Sequence, residues 1–323
     1  MSIASLRQHV ALLATTAVCI VLYAAGCFLY KGFFSAGVFI NFFTDNAFLG
    51  IAAIGMTFVI LSGGIDLSVG AMIGCSSIVM ATLIEHAHIH PAWVTVLILA
   101  LGTLMGAGMG ALIHFFELPP FLVTLAGLFF FRGLGLIVSM ESISITHPLF
   151  LSASEWAIPL GGDQSLPLAA LVLIITLVAA MYVSIYTRFG RNVYAIGGNQ
   201  QSALLLGLPV GSTKVAVYAL SGLCSALAGI VYTLYTSSGN ATGGNGLELD
   251  AIAAVVAGGT LLSGGVGYVA GTLIGVLIFG VIQTGITFQG TLSSWWTKIT
   301  VGGLLLVFIL LQRFLQTRAA KRR

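Results

Sequence analysis

Charge is what this sequence has least of. Only 12 Lys and Arg and 9 Asp and Glu stand among 323 residues, so 7% of the chain is charged, against about 25% in an ordinary soluble domain. A soluble protein of this size has too much surface to cover with so few charges, and the composition excludes one. Proline is scarce at 7 residues and cysteine at 4, which excludes a collagen-like repeat and a disulfide scaffold. Cys19, Cys27, Cys75 and Cys224 all lie in apolar runs and read as small core residues, not as disulfides or metal ligands. The string Gly-x4-Gly-Lys-Ser/Thr is missing, so the chain cannot wrap a nucleotide phosphate in P-loop amides.

What the sequence has in abundance is apolar length. Hydrophobic residues make up 58% of it, with a mean hydropathy of +1.09. Such a chain has lipid as its main solvent. Apolar stretches near residues 9–30, 43–61, 66–84, 92–113, 121–140, 166–187, 214–236, 249–263, 267–288 and 295–312 are expected to cross a bilayer. They must be helices, because a bilayer forces backbone polar groups to pair within the segment, and they lack the alternation of a barrel strand. The expected fold is therefore an all-α polytopic membrane protein of about ten spans, one domain over 1–323, with glycine-interrupted helices. The run from Val10 to Tyr30 follows Arg7, and Ala25-Gly26-Cys27 faintly resembles a lipoprotein cleavage box. Its length, about the 20 residues of a spanning helix, favours a retained first span over a signal peptide.

The basic residues set the orientation. Arg313, Arg318, Lys321, Arg322 and Arg323 crowd the C-terminus, and Arg188, Arg191 and Lys214 surround one internal loop; both belong on the cytoplasmic side. The segment Glu141–Ser165, with Glu141, Glu155 and Asp163 and no Lys or Arg, belongs outside. Both termini are then cytoplasmic and the span number is even. The basic tail is expected to meet anionic lipid headgroups, and no nucleic-acid partner is expected.

Glycine recurs inside the spans. Gly102, Gly106 and Gly110 repeat every fourth residue, as do Gly271 and Gly275; the spacing suits close helix contact within one bundle, or a dimer seam. A longer repeat pairs Leu61-Ser62-Gly63-Gly64-Ile65-Asp66-Leu67-Ser68-Val69-Gly70 with Leu262-Ser263-Gly264-Gly265-Val266-Gly267-Tyr268-Val269-Ala270-Gly271. Transporters use such interrupted repeats to build broken helices near the midplane. Asp66 either caps a helix starting at Leu67 or lines a polar path for a hydroxylated solute.

Between the basic residues, Asn199 reads as an N-cap, Gln200–Leu206 as a short helix, and Gly207 with Pro209 as its end. Two turns carrying Ala203, Leu204, Leu205 and Leu206 cannot hold a helix alone in water. They must pack on the bundle or on another protein.

Several strings together resemble the permeases of ribose-type bacterial ABC sugar importers. They are the loop Thr187–Pro209, the run Gly55-Met56-Thr57-Phe58-Val59-Ile60-Leu61-Ser62-Gly63-Gly64-Ile65-Asp66-Leu67-Ser68-Val69-Gly70, Phe121-Leu122-Val123-Thr124-Leu125-Ala126-Gly127, and Arg132-Gly133. Glu141–Ile145, Gly246–Ile252 and Thr291–Lys298 look nearest to a galactofuranose permease. The resemblance implies a sugar-channel subunit, not an enzyme, in a bacterial inner membrane. Its implied partners are a periplasmic sugar-binding protein, a cytoplasmic ABC ATPase that uses ATP and Mg, and a second permease in a heterodimer; the chain itself binds no cofactor. Residues about 188–213 would form the coupling loop, with Arg188, Gly190, Arg191, Asn199, Ala203, Leu204, Leu205 and Gly207 meeting or positioning the ATPase. Asn46, Gly63, Gly64, Asp66, Ser68, Arg132 and Asp250 are the candidate translocation residues.

Arg132 lies deep in an apolar span, where an unpaired charge costs several kcal/mol. It is expected to pair with a carboxylate (Asp45, Asp66 or Asp250) or with carbonyls at a broken helix. Trp295 and Trp296 suit an aromatic belt or sugar stacking, and Asn41 and Asn46 can both donate to and accept from hydroxyls. His86, His88 and His90 read as a solvated loop; a metal site would need another ligand. A rival class, an ion-coupled secondary sugar transporter, would need a carboxylate pair, for which Asp66 and Asp250 are the only material. No nucleophile or acid/base constellation for a membrane enzyme stands out.

Overall fold

A computed structural model describes residues 3–162, 164–291, 295–303, 306–307 and 310. In chain order the helices are α1 (Ile3–Leu29), α2 (Ala36–Asp45), α3 (Ala47–Leu61), α4 (Val69–Glu85), α5 (Pro91–Phe115), α6 (Pro120–Val138), α7 (Pro148–Glu155), α8 (Leu168–Tyr186), α9 (Arg188–Gly198), α10 (Gln200–Leu205), α11 (Val210–Thr236), α12 (Leu247–Ala257) and α13 (Val269–Gln289). Residues 295–303 are also helical. Two short antiparallel ribbons close one end: β1 (Ile143–Ser144) pairs with β4 (Ser238–Gly239), Ile143 opposite Gly239, and β2 (Ala157–Gly161) with β3 (Gln164–Pro167).

The centre of the bundle is α3. Its sequence is apolar on every side, and every residue except Phe48 is buried; a helix hydrophobic all round has no water-facing side to offer. The outer helices show their apolar residues to lipid instead, as at Phe28 on α1, 92% exposed, and Ile137 on α6, 83% exposed.

The fourfold glycine spacing is spent inside the chain. Gly102, Gly106 and Gly110 put α5 against α11. A Cβ on Gly102 would stand 2.5 Å from the Ala226 Cβ, one on Gly106 would overlap the Tyr218 carbonyl oxygen, and one on Gly110 would lie 2.8 Å from the Val215 Cα. Likewise Gly271 meets Gly258, and Gly275 meets Ala254, where α13 packs on α12. Small residues let backbones approach when lipid offers no hydrophobic drive for association. The dimer-seam alternative for these glycines is thus taken up by intrachain packing.

The all-α polytopic class stands. Among the described residues α1, α5, α6, α8, α11 and α13 are long and apolar enough to cross a bilayer, and the α2–α3 pair, bent by 54°, makes a seventh when taken as one span. The stretch expected near 66–84 is α4, an apolar helix of only 17 residues. The stretch expected near 249–263 is the 11-residue α12 followed by a turn. Apolar composition could not distinguish that half-helix from a whole span. The last expected span, 295–312, lies partly outside the described residues, as do Asp163 and the basic tail.

The two ends differ in charge. The end with Glu85, Glu141 and Glu155 carries the ribbons, and there Glu85 Oε1 accepts from the Thr146 and His147 amides at 2.6 and 3.1 Å while Oε2 accepts from the Thr146 hydroxyl at 2.9 Å. This clasp ties the end of α4 to the acidic loop. Arg188, Arg191 and Lys214 mark the opposite, basic end.

Candidate functional site

A cavity of about 500 Å3 opens between the α2–α3 bend, the start of α12, the acidic-end half of α13 and the helical segment 295–303. Asp45, Asn46, Asp250, Gln283, Thr287 and Lys298 supply polar groups to a wall otherwise made by residues such as Phe48, Leu49 and Phe279. A few placed polar groups in an apolar wall are what small-solute sites use. Asn46 makes the bend: its backbone leaves the helical region at φ −108, ψ 14, and its Nδ2 donates to the Phe42 carbonyl at 3.1 Å. Asp45 Oδ1 accepts from the Tyr235 hydroxyl at 3.2 Å, and Asp250 is ion-paired with Lys298. Thr297, Lys298 and Val301 reach the cavity from the last segment; Trp295 and Trp296 do not line it, and neither does Asn41.

The broken span lies just before the second repeat copy. After β4 the chain passes through non-helical residues 240–246 and only then enters α12, with Gly246 at φ +82 before the first turn. Those residues run along α4: a Cβ on Gly74 would overlap the Ala241 carbonyl oxygen, and one on Gly70 the Gly244 carbonyl oxygen. Irregular backbone survives at membrane depth only when protein or a cavity covers it. Arg132 Nη1 donates to the Ala241 carbonyl at 3.3 Å and lies within electrostatic reach of Glu248. Its partner is thus a carbonyl of the broken span, with Glu248 beside it. Asp45, Asp66 and Asp250, the carboxylates considered from sequence, are held elsewhere. Glu248 was not among them, although an acid in the first turn of a glycine-led helix is a readable signal.

Asp66 is buried and fastens the α3–α4 turn. Oδ1 accepts from the Ser68 amide at 2.9 Å and the Ser68 hydroxyl at 2.6 Å; Oδ2 accepts from the Ser221 hydroxyl of α11 at 2.7 Å. The helix begins at Val69, not at Leu67, so Asp66 organises the turn ahead of it. Ser221 is 11 residues into α11, about 16 Å along its axis at 1.5 Å per residue. Of the seven translocation candidates, Asn46 and Asp250 line the cavity, whereas Gly63, Gly64, Asp66, Ser68 and Arg132 do not. Asp66 and Asp250 hold separate partners and make no carboxylate pair.

The loop at the basic end contains two helices. Sequence reading missed α9, whose signals were Thr187, accepting from the Gly190 amide at 3.1 Å, and the spacing of Phe189, Val193 and Ile196. Gly190 is required there because a Cβ would overlap the Val183 and Ser184 carbonyl oxygens. Asn199 caps α10 as its position suggested, accepting from the Ser202 amide at 2.9 Å. Gly207, at φ +73, ends it, with its amide donating to the Leu204 carbonyl at 2.9 Å. Ala203 faces inward against Ile196, Leu208 and Val210, so it seats the helix and has no surface left for a partner. Leu204, Leu205 and Leu206 point away, 53%, 90% and 78% exposed. Arg188 and Arg191 are exposed in the first turn of α9.

The sequence model of the family described as branched-chain amino acid transport system / permease component matches residues 38–310. The chain belongs to this permease family. The permease is 50% identical over 310 residues to the inner membrane ABC transporter permease protein YjfF of Escherichia coli K12, covering 95% of this chain and 93% of the relative. It is 40% identical to the ribose import permease protein RbsC of Bacillus subtilis 168, over 85% and 84% of the two chains. It is 36% identical to the fructose import permease protein FruG of Bifidobacterium longum NCC 2705, over 95% and 92%. No solved structure matches it. The family match spans the cavity, the broken span and the α9–α10 loop of the permease together, so all three lie within one multi-pass membrane unit of a transport system.

At the acidic end of the permease, His86, His88 and His90 are exposed. His90 Nδ1 caps α5, accepting from the Ala92 amide at 3.2 Å. The described residues contain no group of three His, Cys, Asp or Glu side chains able to hold a metal.

Proposed function

We propose that this permease is the membrane subunit of an ATP-driven bacterial importer that carries a monosaccharide inward, with galactofuranose as its first candidate and ribose or a galactose-like sugar next. The reading rests above all on the leucine triplet. Leu204, Leu205 and Leu206 stand exposed on a helix that is capped at both ends and seated through Ala203. A six-residue helix has no reason to present two leucines, and its C-cap a third, to water; a cleft on an ABC ATPase would cover them. The sugar import named for the relatives in Bacillus subtilis and Bifidobacterium longum supports the substrate class. The Glu141–Ile145, Gly246–Ile252 and Thr291–Lys298 strings support galactofuranose.

On this reading the basic end is cytoplasmic and both termini face the cytoplasm of a cell bounded by this inner membrane. A periplasmic binding protein delivers sugar at the acidic end. Asn46, Asp45, Gln283, Thr287 and the Asp250–Lys298 pair offer hydroxyl-compatible groups as it enters between this chain and a second, different permease. The ATPase binds ATP and Mg and this chain binds neither.

The decisive experiment reconstitutes the permease, its partner permease, ATPase and binding protein in vesicles with labelled galactofuranose, galactopyranose, ribose and fructose. ATP-dependent accumulation of galactofuranose above the other sugars is the expected result. Uphill uptake by the permease alone, or assembly with no ATPase, overturns the importer reading; accumulation of another sugar instead overturns only the choice of galactofuranose.

A further inference from the structure

Glycines from three distant parts of the chain meet at one point. They are Gly63 in the α3–α4 turn, Gly264 and Gly265 in the α12–α13 turn, and Gly197 and Gly198 at the end of α9. A Cβ on Gly197 would overlap the Leu61 carbonyl oxygen and stand 2.6 Å from the Gly265 amide nitrogen. A Cβ on Gly264 would lie 2.9 Å from the Gly63 Cα and 3.1 Å from the Gly197 carbonyl oxygen. The Gly265 amide donates to the Leu61 carbonyl at 2.9 Å, so the two repeat turns are bonded to each other across α9. One side chain reinforces the junction: the Tyr194 hydroxyl on α9 donates to the Gly267 carbonyl at 2.9 Å. Burial, with Tyr268 adding to it, pushes the Tyr194 phenol up to about 12, so it keeps its proton and stays a donor at physiological pH.

Backbone set directly on backbone has no rotamers to absorb a displacement, and packed elements respond to a push by shifting as units. The α9–α10 pair therefore cannot move without moving both repeat turns. The α12–α13 turn leads into α12, an 11-residue half-helix about 16 Å long. The far end of α12 carries Asp250, ion-paired with Lys298 at the cavity wall, and α12 is set on α13 through the Gly258–Gly271 and Ala254–Gly275 backbone contacts, so the two helices shift together. We infer that α12 and α13 move as one unit at the translocation path, and that Gly197 and Tyr194 are the positioning residues through which the docking helices drive them. This inference rests on the importer reading and adds to it which elements move and which contacts carry the motion.

The test uses the full complex in vesicles and measures sugar imported per ATP hydrolysed. Gly197→Ala and, separately, Tyr194→Phe are compared with the parent chain after each complex is shown to assemble. Sugar imported per ATP should fall about tenfold in Gly197→Ala, the scale of a typical inter-site coupling, and by a smaller factor in Tyr194→Phe. A second readout follows α12 itself: with Cys19 and Cys27 replaced by serine, the maleimide labelling rate of Leu247→Cys at the cavity wall should change on ATP binding, and should cease to change when Gly197→Ala is added. An unchanged ratio in an assembled Gly197→Ala complex overturns the inference, as does ATP-dependent labelling that survives the substitution. If Gly197→Ala does not assemble, Tyr194→Phe decides, and a parental ratio there overturns it. Failure of the parent complex to import at all refutes the importer reading instead.

Discussion

Replacing Asp66 with alanine removes the acceptor of three hydrogen bonds at once: the Ser68 amide, the Ser68 hydroxyl and the Ser221 hydroxyl. All of these groups are buried, and Ser221 is 0% exposed, so water cannot substitute without opening the bundle. In bilayers a polar interhelical hydrogen bond is worth about 0.6 to 1.7 kcal/mol, so removing all three costs about 2 to 5 kcal/mol. Part of that is offset because the alanine chain no longer buries a carboxylate. Against a net stability of about 5 to 15 kcal/mol, the loss would be visible as lower folded yield and a lower melting temperature in detergent. Asp66→Asn separates fastening from charge. Its amide oxygen can still accept from the Ser68 groups, and its NH2 can donate to Ser221, whose hydroxyl rotates to accept. Asp66→Asn should therefore melt close to the parent chain and transport normally, while Asp66→Ala should not. Thermal unfolding by size-exclusion fluorescence, with uptake measured on the same preparations, tests both. A stable Asp66→Ala chain refutes the fastening role; a stable Asp66→Asn chain that no longer transports shows that the charge itself serves translocation.

Leu204→Asp with Leu205→Asp should abolish coupling of hydrolysis to uptake yet leave the bundle folded, because both side chains already face outward; full uptake by that chain contradicts docking. Gly106→Leu should prevent α5 from seating on α11, since even a Cβ overlaps the Tyr218 carbonyl oxygen, and an overpacked contact costs about 1 to 3 kcal/mol or more; folded yield in membranes is the measure. Arg132→Leu should lower folded yield by freeing the Ala241 carbonyl and leaving Glu248 without its cationic neighbour; unchanged yield and uptake remove the pairing. Asp250→Asn should break the pair with Lys298 and alter the sugar-concentration dependence of uptake, and an unaltered dependence places the pair outside the path.

Much of the α9–α10 loop could be read directly. Asn199, Gly207 and Pro209 act locally, through a cap and a chain reversal within a few residues, so their positions in the sequence were enough to outline α10. Its neighbour α9 was missed because its helical pattern competes with glycine at Gly190, Gly197 and Gly198, residues that disfavour a helix unless close packing demands them. The direction in which Ala203 and the leucines face also depends on the surface beneath them.

The sequence by itself determined the solvent, the helical class and the charge difference between the two ends, because these follow from summed hydropathy and from local backbone satisfaction in lipid. Tertiary structure alone decided where the apolar stretches break into shorter helices, which carboxylate serves which partner, and where the repeated glycines meet. Stretches of equal hydropathy become a full span or a half-helix according to whether neighbouring helices cover the irregular backbone beside them, as Gly70 and Gly74 do for residues 240–246. Asp66 and Asp250 had the same chemistry in the sequence; what separated a buried fastening from a cavity wall was whether α11 or the 295–303 helix came to face them.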